Sequence, residues 1–405
     1  MDKNILSTKK AVIVFFVFAC GYFLSCLLRA ITATLSPILS SEFNLLAADL
    51  GLLAGGYFLG FASMQIPLGY LLDKHGPRKI VSAFLLIAIV GTGSFALAQS
   101  FTGLLISRVF IGIGVSACLM GPLTGYRIWF DDKYQQRVNS WMLMIASTGF
   151  VFSTLPVQIL LPIFGWRWIF GGITFLILLV IVLTLIFIPS WKNKNNDEEQ
   201  KNVGSLSDVW KNKFFRSTIP LGLFNYGGMI AVQTLWAGPW MVRVSGYDPL
   251  ESATGLFWIN ITMLIAFFTW GYFLPKFRKY GLEAVKLMKY GLPISYLALL
   301  VIIFSGENAG AVHFTIYILT SIVLTLTQPA VAMSFSTSMA GKSLTSFNLL
   351  IFLGTFIMQW GIGLVIDLSQ FLGKGETQSF QISFFVYFII CVLCYLYFVL
   401  NNKNE

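Results

Sequence analysis

The sequence predicts an all-α polytopic membrane protein, with twelve transmembrane helices in two pseudo-symmetric six-helix bundles. Three observations lead there. With 57% hydrophobic and 11% charged residues, a chain of 405 residues has too few polar groups to coat a water-soluble domain, and its mean hydropathy is +0.78. Apolar runs of the roughly 20 residues needed to cross a bilayer recur twelve times. Finally, the charged stretch Gly69-Tyr70-Leu71-Leu72-Asp73-Lys74-His75-Gly76-Pro77-Arg78-Lys79 lies between two such runs. It returns in weakened form as Gly271-Tyr272-Phe273-Leu274-Pro275-Lys276 with Arg278, Lys279 and Gly281 behind it. A basic hinge repeated in both halves points to a carrier, because alternating access needs two related bundles that rock about a central site.

The spans fall at about residues 11–38, 48–72, 80–98, 103–128, 139–163 and 167–189 in the first half. In the second they fall at about 216–240, 252–275, 285–305, 310–334, 344–368 and 379–400. The first follows Lys3, Lys9 and Lys10 in the manner of a signal peptide, but its length and the internal Arg29 mark it as a mature helix. Between spans six and seven, Trp191 to Lys213 is the longest polar segment and reads as a linker. The expected division is an N-terminal bundle over 1–190, a cytoplasmic linker over 191–214 and a C-terminal bundle over 215–405.

Basic residues test this count, since cytoplasmic loops hold the excess of Lys and Arg. With the N-terminus inside, all but five of the 27 basic residues are cytoplasmic. Arg167, Arg243 and Lys374 face the other side, and Arg29 and Arg108 lie inside spans. The formal charge of +10 is therefore topology, not a nucleic-acid footprint, because no basic stripe interleaves with aromatics outside the spans. Both termini are expected in the cytoplasm and the protein in the inner membrane. Cys20, Cys26, Cys118, Cys391 and Cys394 all sit in apolar runs without the companions of a metal site, so neither disulfides nor a metal or other cofactor is expected.

Gly69 to Lys79 resembles the loop signature of the major facilitator superfamily, Gly-x-x-x-Asp-Arg/Lys-x-Gly followed by basic residues. Arg108-Val-Phe-Ile-Gly112-Ile-Gly114 is similar to its fourth-helix pattern, Arg-x-x-x-Gly-x-Gly. The resemblance covers the whole chain, although the second half supports it mainly through span count. Arg29 with Pro37, Glu42-Phe43, Leu50-Gly51, Gly60 and Met64-Gln65-Ile66-Pro67 further resembles the anion:cation symporter branch, which carries sugar acids and other organic carboxylates. Two positions depart from that branch: Leu28 stands where an Asp is usual before the arginine, and Val115 where a Glu is usual after Gly114. Those acids are associated with proton coupling, so substrate charge carries over better than coupling does. The resemblance also implies that a single chain suffices.

Arg29 carries the substrate class. A cation in mid-membrane costs on the order of 3 kcal/mol, so it normally faces a polar cavity or a partner. The resemblance implies that Arg108 hydrogen-bonds to helix one, and two arginines facing one cavity would suit a carboxylate. Span seven adds Asn225, Tyr226, Gln233 and Trp236, which at a helical period fall within an arc of about 100° and so share one face. Tyr22, Asn260, Gln328, Asn348 and Gln359 are further polar side chains inside spans. An amide there also serves as helix glue.

The loop residues Gly69, Asp73, Lys74, Gly76, Arg78 and Lys79 form a candidate conformational latch. Asp73, at the end of helix two, can accept hydrogen bonds from Arg78 or Lys79 and approach a neighbouring helix N-terminus. Coupling has no central acid: Asp49, Asp73 and Asp367 lie at span ends and His313 near the outer end of span ten. The expected function is movement of a small organic anion, facilitated or proton-linked, with lipid and possible protons as the only other partners. Import is favoured because the helix-five Gly-x-x-x-Gly-Pro-x-x-Gly-Gly pattern of exporters is missing from Ser147 to Pro156. Drug or metabolite efflux is the alternative. An intramembrane enzyme would need paired acids, a Ser with His, or a metal cluster, and a receptor would usually add a soluble domain.

Overall fold

The computed structural model describes residues 5–190, 205–279, 283–336 and 339–402, without the side chains of 132, 136 and 271–279. Most of the linker and the side chains of the second loop copy, Gly271 to Gly281, lie outside the described residues.

Span one is a single helix, Thr8–Phe43, with Pro37 inside it. Span two begins as Ala47–Ser63 and resumes at Gln65 after a small break at Met64. The same helix runs on to Leu97, interrupted only at Gly76, where φ is 77° and ψ 162°. A residue with a Cβ resists that backbone, and the following Pro77 has its φ already set for a first helical turn. Gly76-Pro77 therefore ends span two and starts span three without a loop. Gly165, φ 73°, divides spans five and six in the same way inside Leu155–Phe187.

Among the described residues, nine helices are long and apolar enough to cross a membrane. Three spans complete the twelve. Span two contributes the shorter Ala47–Ser63, span five begins as Asp132–Phe152, and span seven is cut into short pieces. Spans four, eight, nine and ten run Phe101–Trp129, Pro249–Lys279, Ala284–Ser305 and Ala311–Met333. Spans eleven and twelve are Ala340–Phe371 and Glu376–Asn401. Large apolar side chains point outward along them, including Phe16 at 60%, Trp168 at 77% and Phe304 at 76% exposure. Water would not tolerate such a surface, and lipid does.

The chain divides into two compact units, one formed by 1–31 and 56–195 and the other by 32–55 and 196–405. The boundary at 195/196 falls inside the expected linker, but the end of span one and the start of span two group with the second unit. In that unit, Asp367 on span eleven accepts the Ala47 and Ala48 amides at 3.0 and 2.7 Å. A carboxylate thus satisfies two orphan donors at the start of span two and complements its helix dipole.

In the first unit, span four packs against span two at backbone distance. A Cβ at Gly112 would stand 2.0 Å from the Tyr57 carbonyl oxygen, so only glycine lets the two helices approach this closely. That contact brings Arg108, one turn earlier on span four, beside the ring of Tyr57.

Candidate functional site

Arg29 and Arg108 converge on one aromatic side chain in the first unit. The Arg108 guanidinium carbon lies 5.2 Å from the Tyr57 ring centroid, and that of Arg29 lies 5.9 Å from the same ring. Arg29 also lies 5.1 Å from the Phe61 ring and 5.9 Å from that of Phe150. Aromatic faces offer a cation some of the stabilisation it loses on leaving water. Tyr57 is fixed in turn: its hydroxyl donates to the Ser25 carbonyl at 3.0 Å and lies 3.3 Å from the Ser25 hydroxyl. Tyr22, also buried, shares a face of span one with Arg29, two turns away.

Arg108 is fully buried, and its Nη1 donates to the Leu28 carbonyl at 2.8 Å. This is the bond to helix one that the resemblance implies. Its Nε and Nη2 have no hydrogen-bond partner among the described residues. A guanidinium carries five N–H donors on three nitrogens, and leaving two of those nitrogens unpartnered is costly when it is buried. Leu28 and Val115, where acids are usual in the resembling branch, are instead buried in the apolar packing of the unit.

The second unit presents a different chemistry. Span seven is not a regular helix: π turns occupy Leu221–Tyr226 and Val232–Trp236, on either side of Gly227–Ala231. Such turns shift the hydrogen-bond step and are frequent at functional sites. They also overturn the expectation of a single face for Asn225, Tyr226, Gln233 and Trp236, because a 3.6-residue period no longer holds through the segment. Asn225 donates to the Tyr296 hydroxyl at 2.7 Å and to the Cys391 carbonyl at 3.2 Å, reaching spans nine and twelve. Gln233 reaches span eight, donating to Asn260 Oδ1 at 3.0 Å. Trp236 reaches span eleven, donating to the Gln359 carbonyl at 3.0 Å.

Gln359 in turn donates to Thr234 Oγ1 at 3.0 Å, and its own Oε1 has no partner among the described residues. The Asn225 Oδ1 is likewise unpartnered. Two buried amide acceptors, on Asn225 and Gln359, therefore remain unpartnered among the described residues. Gln328 stands apart from it, paired with Asn348 at 2.5 Å. Tyr226 is half-buried, packed against the apolar core of the second unit.

A family model described as the Major Facilitator Superfamily matches residues 18–359. The chain belongs to that superfamily. Among curated relatives, a probable sulfoacetate transporter of Cupriavidus necator is 22% identical over 56% of this chain and 56% of its own length. The chain thus spans little more than half of that relative. A quinolone resistance protein of Staphylococcus aureus is 24% identical over 70% of this chain and 72% of its own. A solved bacterial homologue of the human lysosomal transporter Spinster superposes with a TM-score of 0.78 at 16% identity, covering 98% of both chains. That likeness shows the fold.

Within this superfamily member the loop signature takes a form that the residue spacing did not foresee. Arg78 does not bond to Asp73; its Nη2 donates to the Leu185 carbonyl near the end of span six. A helix C-terminus offers unsatisfied carbonyls, and the adjacent guanidinium takes one. Asp73 is exposed at the surface and has Arg127, in the last turn of span four, as its charged neighbour. Lys74 lies over the Tyr70 ring at 5.6 Å, and Lys79 is exposed. Gly76 is required by its positive φ, whereas a Cβ at Gly69 would meet nothing within 4 Å.

The terminal titratable groups are engaged in capping. Asp49 accepts the Leu46 amide at 3.1 Å, Asp367 accepts those of Ala47 and Ala48, and His313 Nδ1 accepts the Gly310 amide at 3.2 Å. Sequence reasoning missed Tyr57, Tyr296 and Thr234. Tyr57 was visible as a phenol set in Gly55-Gly56-Tyr57 inside a span. Nothing in the sequence shows that two arginines meet it.

Proposed function

We propose that this protein is a carrier that moves a small carboxylate- or sulfonate-bearing metabolite across the inner membrane by alternating access, with import favoured. One observation carries the reading: Arg108 is buried beside Arg29 with its Nε and Nη2 unpartnered. A planar anion is the ligand whose geometry answers those donors bidentately. The relative named for sulfoacetate supports an anionic substrate.

In this reading Asp73, Lys74, Arg78 and Lys79 with Gly69 and Gly76 work as the conformational latch. Both termini are cytoplasmic, one chain suffices, and any proton coupling runs through span-end groups or the cargo. The relative named for quinolone resistance favours drug efflux as a second reading.

A thermal-shift series on the full-length protein separates the two, since a ligand that binds the folded state raises its apparent stability. Sulfoacetate, tartrate and gluconate are run against cationic drugs, for wild type, Arg29→Ala and Arg108→Gln. Stabilisation by one of the anions that vanishes in both variants is expected. Stabilisation by cationic amphiphiles alone, unchanged in the variants, would make the arginines structural and turn the reading to efflux.

A further inference from the structure

Three chain segments of the first unit meet around a cavity of about 410 Å³ that is separate from the arginine pair. They are the start of span one, with Lys10 and Ile13, the residues just after Gly76, with Arg78, and the end of span six, with Ile186 and Phe187. The volume lies in the range of about 300–1,000 Å³ typical of small-molecule sites. Among the described residues, no acidic side chain lines it. Its two cations therefore leave it with a positive field, which the N-terminal end of span one reinforces.

The walls decide what kind of anion it takes. Ile13, Ile186 and Phe187 are 40%, 65% and 44% exposed, so the cavity opens beside apolar surface at a helix end, where lipid headgroups meet acyl chains. A free phosphate would use Lys10 and Arg78 and leave those walls unused. A phospholipid would use both, with its phosphodiester on the cations and its glycerol and first acyl carbons on the isoleucines and phenylalanine. Basic pockets between spans on the cytoplasmic side are suited to anionic headgroups.

We infer that this cavity is a binding site for an anionic phospholipid of the cytoplasmic leaflet. It rests on the spans crossing a bilayer with the basic side inward, and not on the identity of the cargo. Because Arg78 also holds the Leu185 carbonyl, an occupied site bears on the same loop as the proposed latch. The lipid phosphate then competes with or reinforces the Arg78 contact, so headgroup charge would tune turnover.

Native mass spectrometry of the detergent-solubilised full chain tests the site with phosphatidylglycerol, with phosphatidylcholine of the same acyl chains, and with inorganic phosphate. Preferential retention of phosphatidylglycerol is expected. Lys10→Gln, at an exposed position that leaves packing intact, should weaken it about fivefold, the loss of one cation near a charged surface. Phe187→Ser should weaken phosphatidylglycerol without altering any phosphate binding. Equal retention of the two lipids, or retention unchanged by both variants, overturns the site. If phosphate alone blocks the lipid completely and Phe187→Ser has no effect, the cavity binds a free anion and the lipid assignment fails. Cargo-induced thermal shifts in Lys10→Gln give a separate readout of the arginine site.

Discussion

The first compact unit gathers charge, and the second gathers neutral hydrogen-bonding groups. Arg29 and Arg108 flank one phenol in the former. In the latter, Asn225 pairs with Tyr296, Gln233 with Asn260 and Trp236 with Gln359, in separate hydrogen-bonded pairs of amides, a hydroxyl and an indole. Charge is expensive to bury and acts at a distance, so in the proposed reading the two arginines select for an anion. Amides act only through direct, oriented contacts, so they respond to the placement of individual donors and acceptors rather than to charge. The two units differ in local geometry as well. The arginines stand on spans one and four, the latter drawn against Tyr57 of span two by Gly112, whereas Asn225, Gln233 and Trp236 stand on a helix interrupted by two π turns.

The largest expected effect comes from removing charge. Arg29→Ala and Arg108→Ala should each reduce uptake into proteoliposomes by about a hundredfold or more, because each removes a charged contact to the proposed anionic cargo of a kind worth about 2–5 kcal/mol. Size-exclusion profiles like those of wild type would confirm that folding is retained. Uptake within a few-fold of wild type would remove the first unit's special role.

Asp73→Asn should come next, slowing turnover about tenfold while leaving cargo binding near wild type, as expected for a group that acts in the conformational change rather than at the site. Equal losses in turnover and in binding by calorimetry would count against a latch. The amide network should respond more gently. Gln233→Leu removes a neutral hydrogen bond worth about 1 kcal/mol and strands Asn260 Oδ1. A roughly fivefold rise in KM is expected, with relative preference among anions altered. A variant with unchanged preference would show that the second unit does not set specificity.

The smallest effect is one of stability. Asp367→Ala strands the Ala47 and Ala48 amides and should destabilise the detergent-solubilised protein by about 1 kcal/mol, the usual value of a capping acid. Chemical denaturation would measure it. A loss of transport larger than the loss of stability would show that this cap matters to the transport cycle as well.

How far the sequence could be read depended on the range of the interaction involved. Twelve spans were legible because each needs only a local run of apolar residues. The division between spans two and three was legible in Gly76-Pro77, whose backbone preferences are intrinsic. Arg29 and Arg108 stood out because a cation inside a span demands an explanation wherever it packs. The bond from Arg108 to span one was implied by the resemblance, and the structure contains it.

Partners were another matter. Asp73 was expected to accept from Arg78 or Lys79, but Arg78 takes a carbonyl of span six, 107 residues along the chain. The face expected for Asn225, Tyr226, Gln233 and Trp236 assumed one helical period, which the π turns break. Tyr57 drew no notice because its importance lies in what surrounds it. The sequence by itself determined the solvent, the number of crossings, the family and the presence of costly buried cations, all set by residue chemistry and short-range backbone preference. Only the tertiary structure decided which donors those cations share, where the π turns fall and which acids cap helices, because each depends on contacts between segments far apart in the chain.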